Sequence, residues 1–517
     1  MTKRLISRIY THSPYIITLL ITALYILLSL LRHRSFHTYA YDLGIYDQTV
    51  WLYSRFIYPF VTIEYKFALL NHFSPSLALL APIYWVWSDP QALLVTQAIL
   101  IGASSIPFIK LSKKLLLPTY LISTLTLIYV AFYGYQYSVN YDVHSLVFGT
   151  TLIPWFILAL ENKKTKSAIM LYLIIICMKE SFPVMMFSIG VVYFLRKQKK
   201  LGLILIITSL LYLAILMKAL IPWMQSLSNE IYRFSPSNQS SLISYITNIA
   251  NTPQKQQVWT VSILWFALIP FLAPSITIAA FGDVAFYFIF GNNHPETHNL
   301  FYHYRSSLAP LLIWSTIYGC INVKKFLKIS YQIQSIILLF TFTFLQLSLQ
   351  LPLNSLLQSK WYENPQYIQD NNAIIKKVPK NAAITAQNSL VPRLSQRKEI
   401  HVLWPVWNNN GYVQFPICSS SLKEITYGIR NPNYEIEKNN CPESQKIQTP
   451  CNNEWCFWLR FHSKTQYIIT DTHQNQNAVT LLMENESKLK EGLSNLAKLN
   501  IITKQESQGE TTLWKVN

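Results

Sequence analysis

Residues 41–51 read Tyr-Asp-Leu-Gly-Ile-Tyr-Asp-Gln-Thr-Val-Trp and follow the first long apolar segment of the chain. Two carboxylates, Asp42 and Asp47, therefore lie among aromatic side chains just outside a predicted membrane span. A bilayer surface desolvates a carboxylate and makes its ionised form costly, so an acid in such a place favours a functional role. The alternative is that Asp42 caps the helix predicted from Ile45 to Phe56, because Asp accepts hydrogen bonds from the free amides of a first turn.

The composition is that of a membrane protein. Of 517 residues, 51% are hydrophobic and 13% are charged, whereas about a quarter of a soluble domain is charged. The 43 Lys and Arg residues outnumber the 24 Asp and Glu residues, but they form short clusters between apolar runs. That pattern is typical of cytoplasmic loops rather than of a surface for nucleic acid, so we expect no nucleic-acid partner. The chain has no glycine-rich phosphate loop, and ATP-driven transport has no support in it.

The apolar runs predict about eleven crossings within residues 1–351, with the N-terminus in the cytoplasm. Residues 73–87 are shorter than the roughly 20 residues that cross a bilayer, and they contain two prolines. We therefore place them along the outer interface, where Tyr84, Trp85 and Trp87 are well suited. The later basic loops then all face the cytoplasm: 110–114, 163–166, 196–200 and 324–328. If residues 73–87 crossed instead, this topology would invert.

The C-terminal third differs from the rest in being rich in Asn, Gln, Ser and Lys. Strand patterns at 382–386 and 467–470, with helical patterns near 365–377 and 480–498, predict a small α/β fold. The expected architecture is thus an all-α polytopic membrane domain with outer-face juxtamembrane helices (1–351), followed by a C-terminal soluble α/β domain (352–517). The odd number of crossings places that second domain outside the cytoplasm.

Four of the six cysteines lie in this C-terminal domain: Cys418, Cys441, Cys451 and Cys456. Their spacing contains no CxxC pair, which favours disulfides over a zinc site in an extracytoplasmic domain. The tryptophans at 404, 407, 455 and 458 fit carbohydrate stacking and a core or membrane-facing position equally well.

With this topology, most of the ionisable residues beside the spans gather on the outer side. The candidates for substrate binding are His72, Asp142, His144, Lys179, Glu180, His303 and Arg305. Several have a plainer explanation: Lys179 and Glu180 as a loop ion pair, the histidines at 294, 298 and 303 as solvated loop residues, and Asp283, inside a span, as a buried acid satisfied by Ser or Tyr. Together, however, cations that suit a lipid phosphate, acids that suit a general base and aromatic faces that suit a sugar favour one site. The spacing of His294 and His298 supports a metal site only weakly, so no metal ligand is predicted.

Several motifs resemble a family of predicted polytopic membrane proteins that is catalogued as a domain of unknown function (DUF). They are residues 41–51, 71–75, 80–84, 179–180, 303–304 with Pro310, 378–382, 392–395 and 467–471. That family is similar in turn to the GT-C superfamily of membrane glycosyltransferases, which use polyprenyl-phosphate-linked sugars. In GT-C enzymes an acid in the first outer loop acts as the base or orients the acceptor. The resemblance places Asp42 at this position, with Asp47 one turn further on.

The resemblance therefore implies a glycosyltransferase in the plasma (inner) membrane. It would move a sugar from a polyprenyl-phosphate donor to a lipid or glycan acceptor on the outer face, with the lipid bilayer as its surroundings. Asp42 and Asp47 are the catalytic candidates, Lys179 and Arg305 would neutralise the departing phosphate, and a divalent cation as cofactor is left open. The alternatives are a transporter or flippase of a lipid-linked precursor, centred on Asp283, and a non-catalytic assembly protein.

Overall fold

The structure is a computed structural model that is mostly helical and forms two compact units. It describes residues 2–64, 66–228, 249–289, 295–403, 465–473 and 502–517, together with 407–408, 411–412, 490, 493–494, 497–498 and 500. The first unit comprises Met1–Leu30, Leu69–Leu77 and Leu94–Gln358; the second comprises Leu31–Ala68, Ala78–Leu93 and Ser359–Asn517. The boundary expected at residues 351 and 352 stays a prediction, and the second unit also takes in two segments from the N-terminal part of the chain.

Helices make up the described part of the first unit. Its α-helices, some of which extend past its boundaries, are Thr2–Arg34, Ala68–Asn71, Gln91–Ala103, Ser105–Lys114, Thr119–Val130, Tyr133–Asn140, Ser145–Glu161, Thr165–Ile176, Phe182–Leu195, Lys199–Ile215, Ile221–Ser228, Pro253–Trp265, Pro274–Thr277, Ala280–Val284, Leu308–Asn322 and Tyr331–Ser348. Short 3₁₀ turns cover Pro75–Leu80, Ile269–Leu272, Pro295–His298, His303–Ser307 and Pro352–Leu357, and π-helical turns cover Leu216–Leu220, Ala285–Ile289 and Val323–Leu327. Helices suit a lipid environment because their backbone N–H and C=O groups bond to each other within the same segment.

Five helices of the described chain are long and apolar enough to cross a membrane. They are Arg8–Arg34, Gln91–Lys114, Lys199–Leu227, His303–Leu327 and Tyr331–Ser348. Shorter apolar helices cover Pro75–Val86, Ser145–Glu161, Thr165–Ile176, Phe182–Leu195 and Pro274–Phe288. A polytopic helical protein is therefore supported, while the expected count of about eleven crossings stays a prediction.

The second unit contains a five-stranded mixed sheet. The strands described in the chain are β1 (Phe60–Val61), β2 (Lys66–Phe67), β3 (Ile384–Ala386), β4 (Ile400–Val402), β5 (Trp407–Asn408), β6 (Gly411–Tyr412), β7 (Tyr467–Asp471), β8 (Ile502–Gln508) and β9 (Thr511–Val516). The sheet has the order β4-β3-β7-β9-β8, in which β3 is parallel to β4 and β7, and β9 is antiparallel to β7 and β8. Its helices are Ile45–Ser54, Ile83–Val86 and Gln366–Ile375, with shorter turns at Ala40–Gly44, Ser359–Trp361 and Val391–Arg393.

The C-terminal elements expected from the sequence are confirmed where the structure describes them. The patterns at 382–386 and 467–470 correspond to β3 and β7, and the helical pattern at 365–377 corresponds to Gln366–Ile375. β3 and β7 read as short apolar runs because their residues are buried within the sheet. The four clustered cysteines, three of the four C-terminal tryptophans and most of the helix expected at 480–498 lie outside the described residues.

The N-terminal segment of the second unit is part of the core around this sheet. Ala40, Ile45 and Ile63 share one hydrophobic core with Ile384 and Ile469. The side-chain amide of Gln48 donates to the carbonyl of Arg397 at 3.1 Å and to the hydroxyl of Thr62 at 2.9 Å. The stretch 41–51 is therefore folded against the C-terminal sheet by apolar packing and by buried hydrogen bonds.

The helix expected to begin at Ile45 is confirmed, and it covers Ile45–Ser54. Its N-cap residue is Gly44, while Asp42 lies in the π-helical turn Ala40–Gly44 before it. Asp42 thus does not occupy the capping position that was the alternative to a functional role.

The predicted topology can be tested with epitope tags. We expect an epitope added after Asn517 to bind antibody on intact spheroplasts, because residues 352–517 are predicted to lie outside the cytoplasm. An epitope inserted between Lys163 and Lys164, both exposed, should bind antibody only after permeabilisation. Immunofluorescence before and after permeabilisation measures both. Binding to the inserted epitope on intact cells, with none at the C-terminus, would invert the topology.

Candidate functional site

A buried ion pair in the first unit joins two of the predicted residues. His72 Nδ1 lies 2.9 Å from Glu180 Oε1, and the backbone N–H of Phe73 donates to Glu180 Oε2 at 3.2 Å. Burial alone would raise the pKa of Glu180, but the charge of His72, its hydrogen bond and the charge of Lys179 outweigh burial and lower the pKa to about 2. Glu180 is therefore held as a carboxylate that fixes the imidazole of His72.

Lys179, next in sequence to Glu180, is 2% exposed. Its ammonium nitrogen lies 5.8 Å from the centre of the Tyr304 ring, within the range of a cation–π contact. Its charge also acts on the imidazoles of His144 and His303. A lysine ammonium is costly to bury, so its place among aromatic and imidazole rings keeps Lys179 a candidate for binding an anion.

The imidazoles of His144 and His303 stack face to face. Their ring centres are 3.4 Å apart and their planes differ by 12°. His303 is buried, and its Nδ1 has no hydrogen-bond partner among the described residues. Since most buried polar atoms have a partner, this nitrogen is available to a ligand that enters the cluster.

Gln97 holds the loop before His144 in place through two hydrogen bonds. The side-chain amide of Gln97 donates to the carbonyl of Asp142 at 2.6 Å, and its oxygen accepts from the backbone N–H of His144 at 3.1 Å. Asp142 is 1% exposed and has a positive φ of 67°, a conformation in which Asp is tolerated better than most residues. Gln97 thus determines where the helix Ser145–Glu161 begins.

Arg305 is held by partners within the protein. Its guanidinium donates to Asp283 Oδ2 at 3.2 Å and to the carbonyl of Thr297 at 3.0 Å, and Ser307 also donates to Asp283. Both Arg305 and Asp283 are fully buried. This pair accounts for the burial of both charges, so the guanidinium of Arg305 is already bound within the protein.

The two acids of the stretch 41–51 lie in the second unit. Asp42 is partly exposed, whereas Asp47 is fully buried. The carboxylate of Asp47 accepts hydrogen bonds from the hydroxyl of Tyr84, from Ser395 at 2.6 Å and from the side-chain amide of Gln396 at 3.1 Å. These bonds explain the position of Asp47 by structure alone, and its predicted catalytic role stays a prediction.

Burial has a large effect on Asp47. Desolvation raises the pKa of its carboxyl to about 7, although the bonds from Ser395, Tyr84 and Gln396 oppose this rise. The sequence placed Tyr84 at the outer interface with Trp85 and Trp87, but the Tyr84 side chain is 1% exposed and packed inside the protein. Its ring does not face the interface because its hydroxyl binds the buried Asp47, and the interfacial placement of residues 73–87 stays a prediction.

The sequence did not single out three residues that contact the predicted site residues Lys179 and Asp47. Tyr304 was only part of a family motif, yet its ring faces Lys179. Ser395 and Gln396 bind Asp47 from almost 350 positions away in the chain, and no local pattern marks such a contact. Among the described residues, no group of three or more His, Cys, Asp or Glu side chains could hold a metal ion; His294 and the side chain of Glu296 lie outside the description.

A comparison with protein families bears on these observations. The family model of a predicted membrane protein, DUF2079, matches residues 32–449. The chain belongs to the DUF2079 family. The match includes Asp42, Asp47 and every residue of the buried cluster in the first unit. It confirms the resemblance to a family of unknown function, and the chain is accordingly a membrane protein. No curated protein matches it.

Loss of the Glu180 carboxylate should destabilise the protein. Glu180→Gln leaves His72 without its buried counter-charge, and breaking a buried ion pair costs about 3 kcal/mol or more. The midpoint of thermal unfolding in detergent micelles measures the effect. Glu161→Gln is the control, since Arg196 keeps the hydroxyl of Tyr318 as a partner at 3.1 Å. An equal loss for both variants would contradict a special role for the Glu180 pair.

Stability should also depend on Asp47 between about pH 4 and pH 7. A carboxyl whose pKa rises from 3.8 to about 7 on folding binds its proton more tightly in the folded state. Its contribution is therefore full at low pH and is lost as the pH rises to about 7, by on the order of 4 kcal/mol.

Thermal unfolding at several pH values compares the wild type with Asp47→Asn. The variant should gain stability relative to the wild type as the pH rises. Glu506→Gln, which alters an exposed ion pair with Lys377, should show no such trend. A constant difference between Asp47→Asn and the wild type would show that Asp47 titrates normally.

Proposed function

We propose that this protein is a membrane glycosyltransferase that uses a polyprenyl-phosphate-linked sugar and acts on the outer face of the plasma membrane. The acceptor is a lipid or a glycan. The proposal takes the C-terminal domain to be extracytoplasmic and the membrane domain to have about eleven crossings. The single observation that carries it is the cluster of the buried residues Lys179, His144 and His303 with the partly exposed His72 in the apolar first unit.

The electrostatics of this cluster support a phosphate ligand. Lys179 supplies a positive charge where desolvation makes electrostatic contacts strong. A lipid-linked phosphate suits such a place, because its anion is attracted to an ammonium and its chain remains in the bilayer.

The same residues can assist departure of the phosphate from a sugar. As the bond between the sugar and the phosphate oxygen breaks, negative charge grows on the leaving phosphate. A preorganised ammonium lowers the energy of that state, and removal of one such group typically costs about 10²- to 10³-fold in rate. His303 Nδ1 is placed to exchange a hydrogen bond with the ligand, because it is buried and has no partner in the described part of the chain.

Asp42 is the proposed general base for the acceptor hydroxyl. This role follows from the resemblance to GT-C enzymes, and Asp42 is partly exposed in the structure. Asp47 is less suited to that task because three donors already bind its carboxylate. A base typically contributes about 10²- to 10⁴-fold in rate.

The proposal predicts release of free polyprenyl phosphate. Purified protein in liposomes is incubated with a polyprenyl-phosphate sugar, radiolabelled in the lipid, and with lipid-extract acceptors. Chromatography then follows the lipid product. Lys179→Met should lower the rate about 10²-fold or more, whereas Lys164→Met, in an exposed loop, should match the wild type. A transporter would move the labelled lipid across the liposome membrane without releasing product.

Absence of product with all donors, or full activity of Lys179→Met, would contradict the proposal. Asp42→Asn tests the base separately and should lower the rate about 10²- to 10⁴-fold. If Asp42→Asn alone retained full activity, the phosphate site would stand and only the assignment of the base would fail.

A further inference from the structure

Two segments of the second unit, which meet where Phe56 contacts Trp85, expose five large side chains. Their exposed fractions are 87% for Phe56, 64% for Tyr58, 58% for Trp85, 92% for Val86 and 42% for Trp87. We call these five residues the aromatic patch. Scattered exposed apolar residues are normal on proteins, but a cluster of three kinds of aromatic ring indicates a surface with a binding partner.

Two chain segments build the patch, and contacts between them hold it together. The indole N–H of Trp85 donates to the carbonyl of Ser54 at 2.9 Å. The rings of Phe56 and Trp85 have their centres 6.3 Å apart. The patch is therefore a formed surface of the folded unit and not the chance meeting of two loops.

Phe56 is an unexpected residue at its position. It follows the helix Ile45–Ser54 with a φ of +56°, and its N–H donates to the carbonyl of Tyr53 at 3.0 Å. Glycine or asparagine usually occupies such a left-handed position at a helix end, because a large side chain is strained there. The positive φ and the exposed ring would both disfavour phenylalanine at this position in water. Neither the local backbone geometry nor packing in a core therefore explains why the residue is phenylalanine.

The chain itself limits where the patch can lie. Trp87 is four residues before Gln91, where the apolar helix Gln91–Lys114 begins. Four residues span at most about 14 Å, so Trp87 lies no further than that from the start of this helix. The patch thus starts within reach of a membrane surface.

We propose that the aromatic patch inserts into the headgroup region of the lipid bilayer and anchors the second unit there. Trp, Tyr and Phe rings favour this layer because their flat apolar faces contact acyl chains while their polar groups remain hydrated. Tyr84, beside Trp85, points its hydroxyl to Asp47 instead, so one side of this segment is fixed to the protein and Trp85, Val86 and Trp87 remain for the lipid.

A spin label at Val86 tests this proposal in the full-length protein. Val86→p-acetylphenylalanine carries a ketone-reactive nitroxide, which leaves all six cysteines unchanged. The control is Tyr362→p-acetylphenylalanine, at a position of the same unit that is 52% exposed and outside the patch. In lipid nanodiscs, electron paramagnetic resonance compares collisions of each label with oxygen, which enriches in lipid, and with a nickel chelate, which stays in water.

We expect the ratio of oxygen to nickel collisions at position 86 to be several-fold higher than at position 362. An equal ratio at the two positions would show that the patch faces water and would overturn the proposal. Low collision rates with both reagents at position 86 would show that protein covers the patch, either a partner or a second copy, and would also overturn it. Neither outcome depends on the activity proposed above.

Discussion

The buried carboxylate of Asp47 is the contact on which the second unit depends. It accepts hydrogen bonds from Tyr84, Ser395 and Gln396, and so connects three segments that are far apart in sequence. A carboxylate without such donors would be too costly to bury. The residues around it, including Ile45 and Val391, pack into the same core as the strands of the C-terminal sheet. The stretch 41–51 is therefore a structural part of the α/β unit.

The first unit handles buried charge differently. There two of its acids are matched with a cation or an imidazole, Asp283 with Arg305 and Glu180 with His72. Lys179 stands beside these pairs against the ring of Tyr304 and near the stacked rings of His144 and His303. A lysine ammonium is costly to bury in an apolar unit. Its presence is the physical reason to regard the cluster as a binding site for an anion.

Local pattern was sufficient for much of the fold. Long apolar runs indicated the membrane helices. Strand patterns located β3 and β7, and a helical pattern located the helix Gln366–Ile375. The sequence also singled out His72, Glu180, His144 and His303, because ionisable residues beside spans are rare. It could not show that Gln48 binds Arg397 or that His144 stacks on His303, since such pairs are separated by about 350 and 160 residues and leave no local periodicity.

The central claim is that the cluster around Lys179 binds a lipid-linked phosphate, and a density map of the protein with bound polyprenyl phosphate tests it most directly. The proposal predicts a phosphate oxygen within about 3 Å of the ammonium nitrogen of Lys179, with the polyprenyl chain leaving along apolar helices. A phosphate bound elsewhere, with the cluster around Lys179 closed and unchanged, would contradict the account.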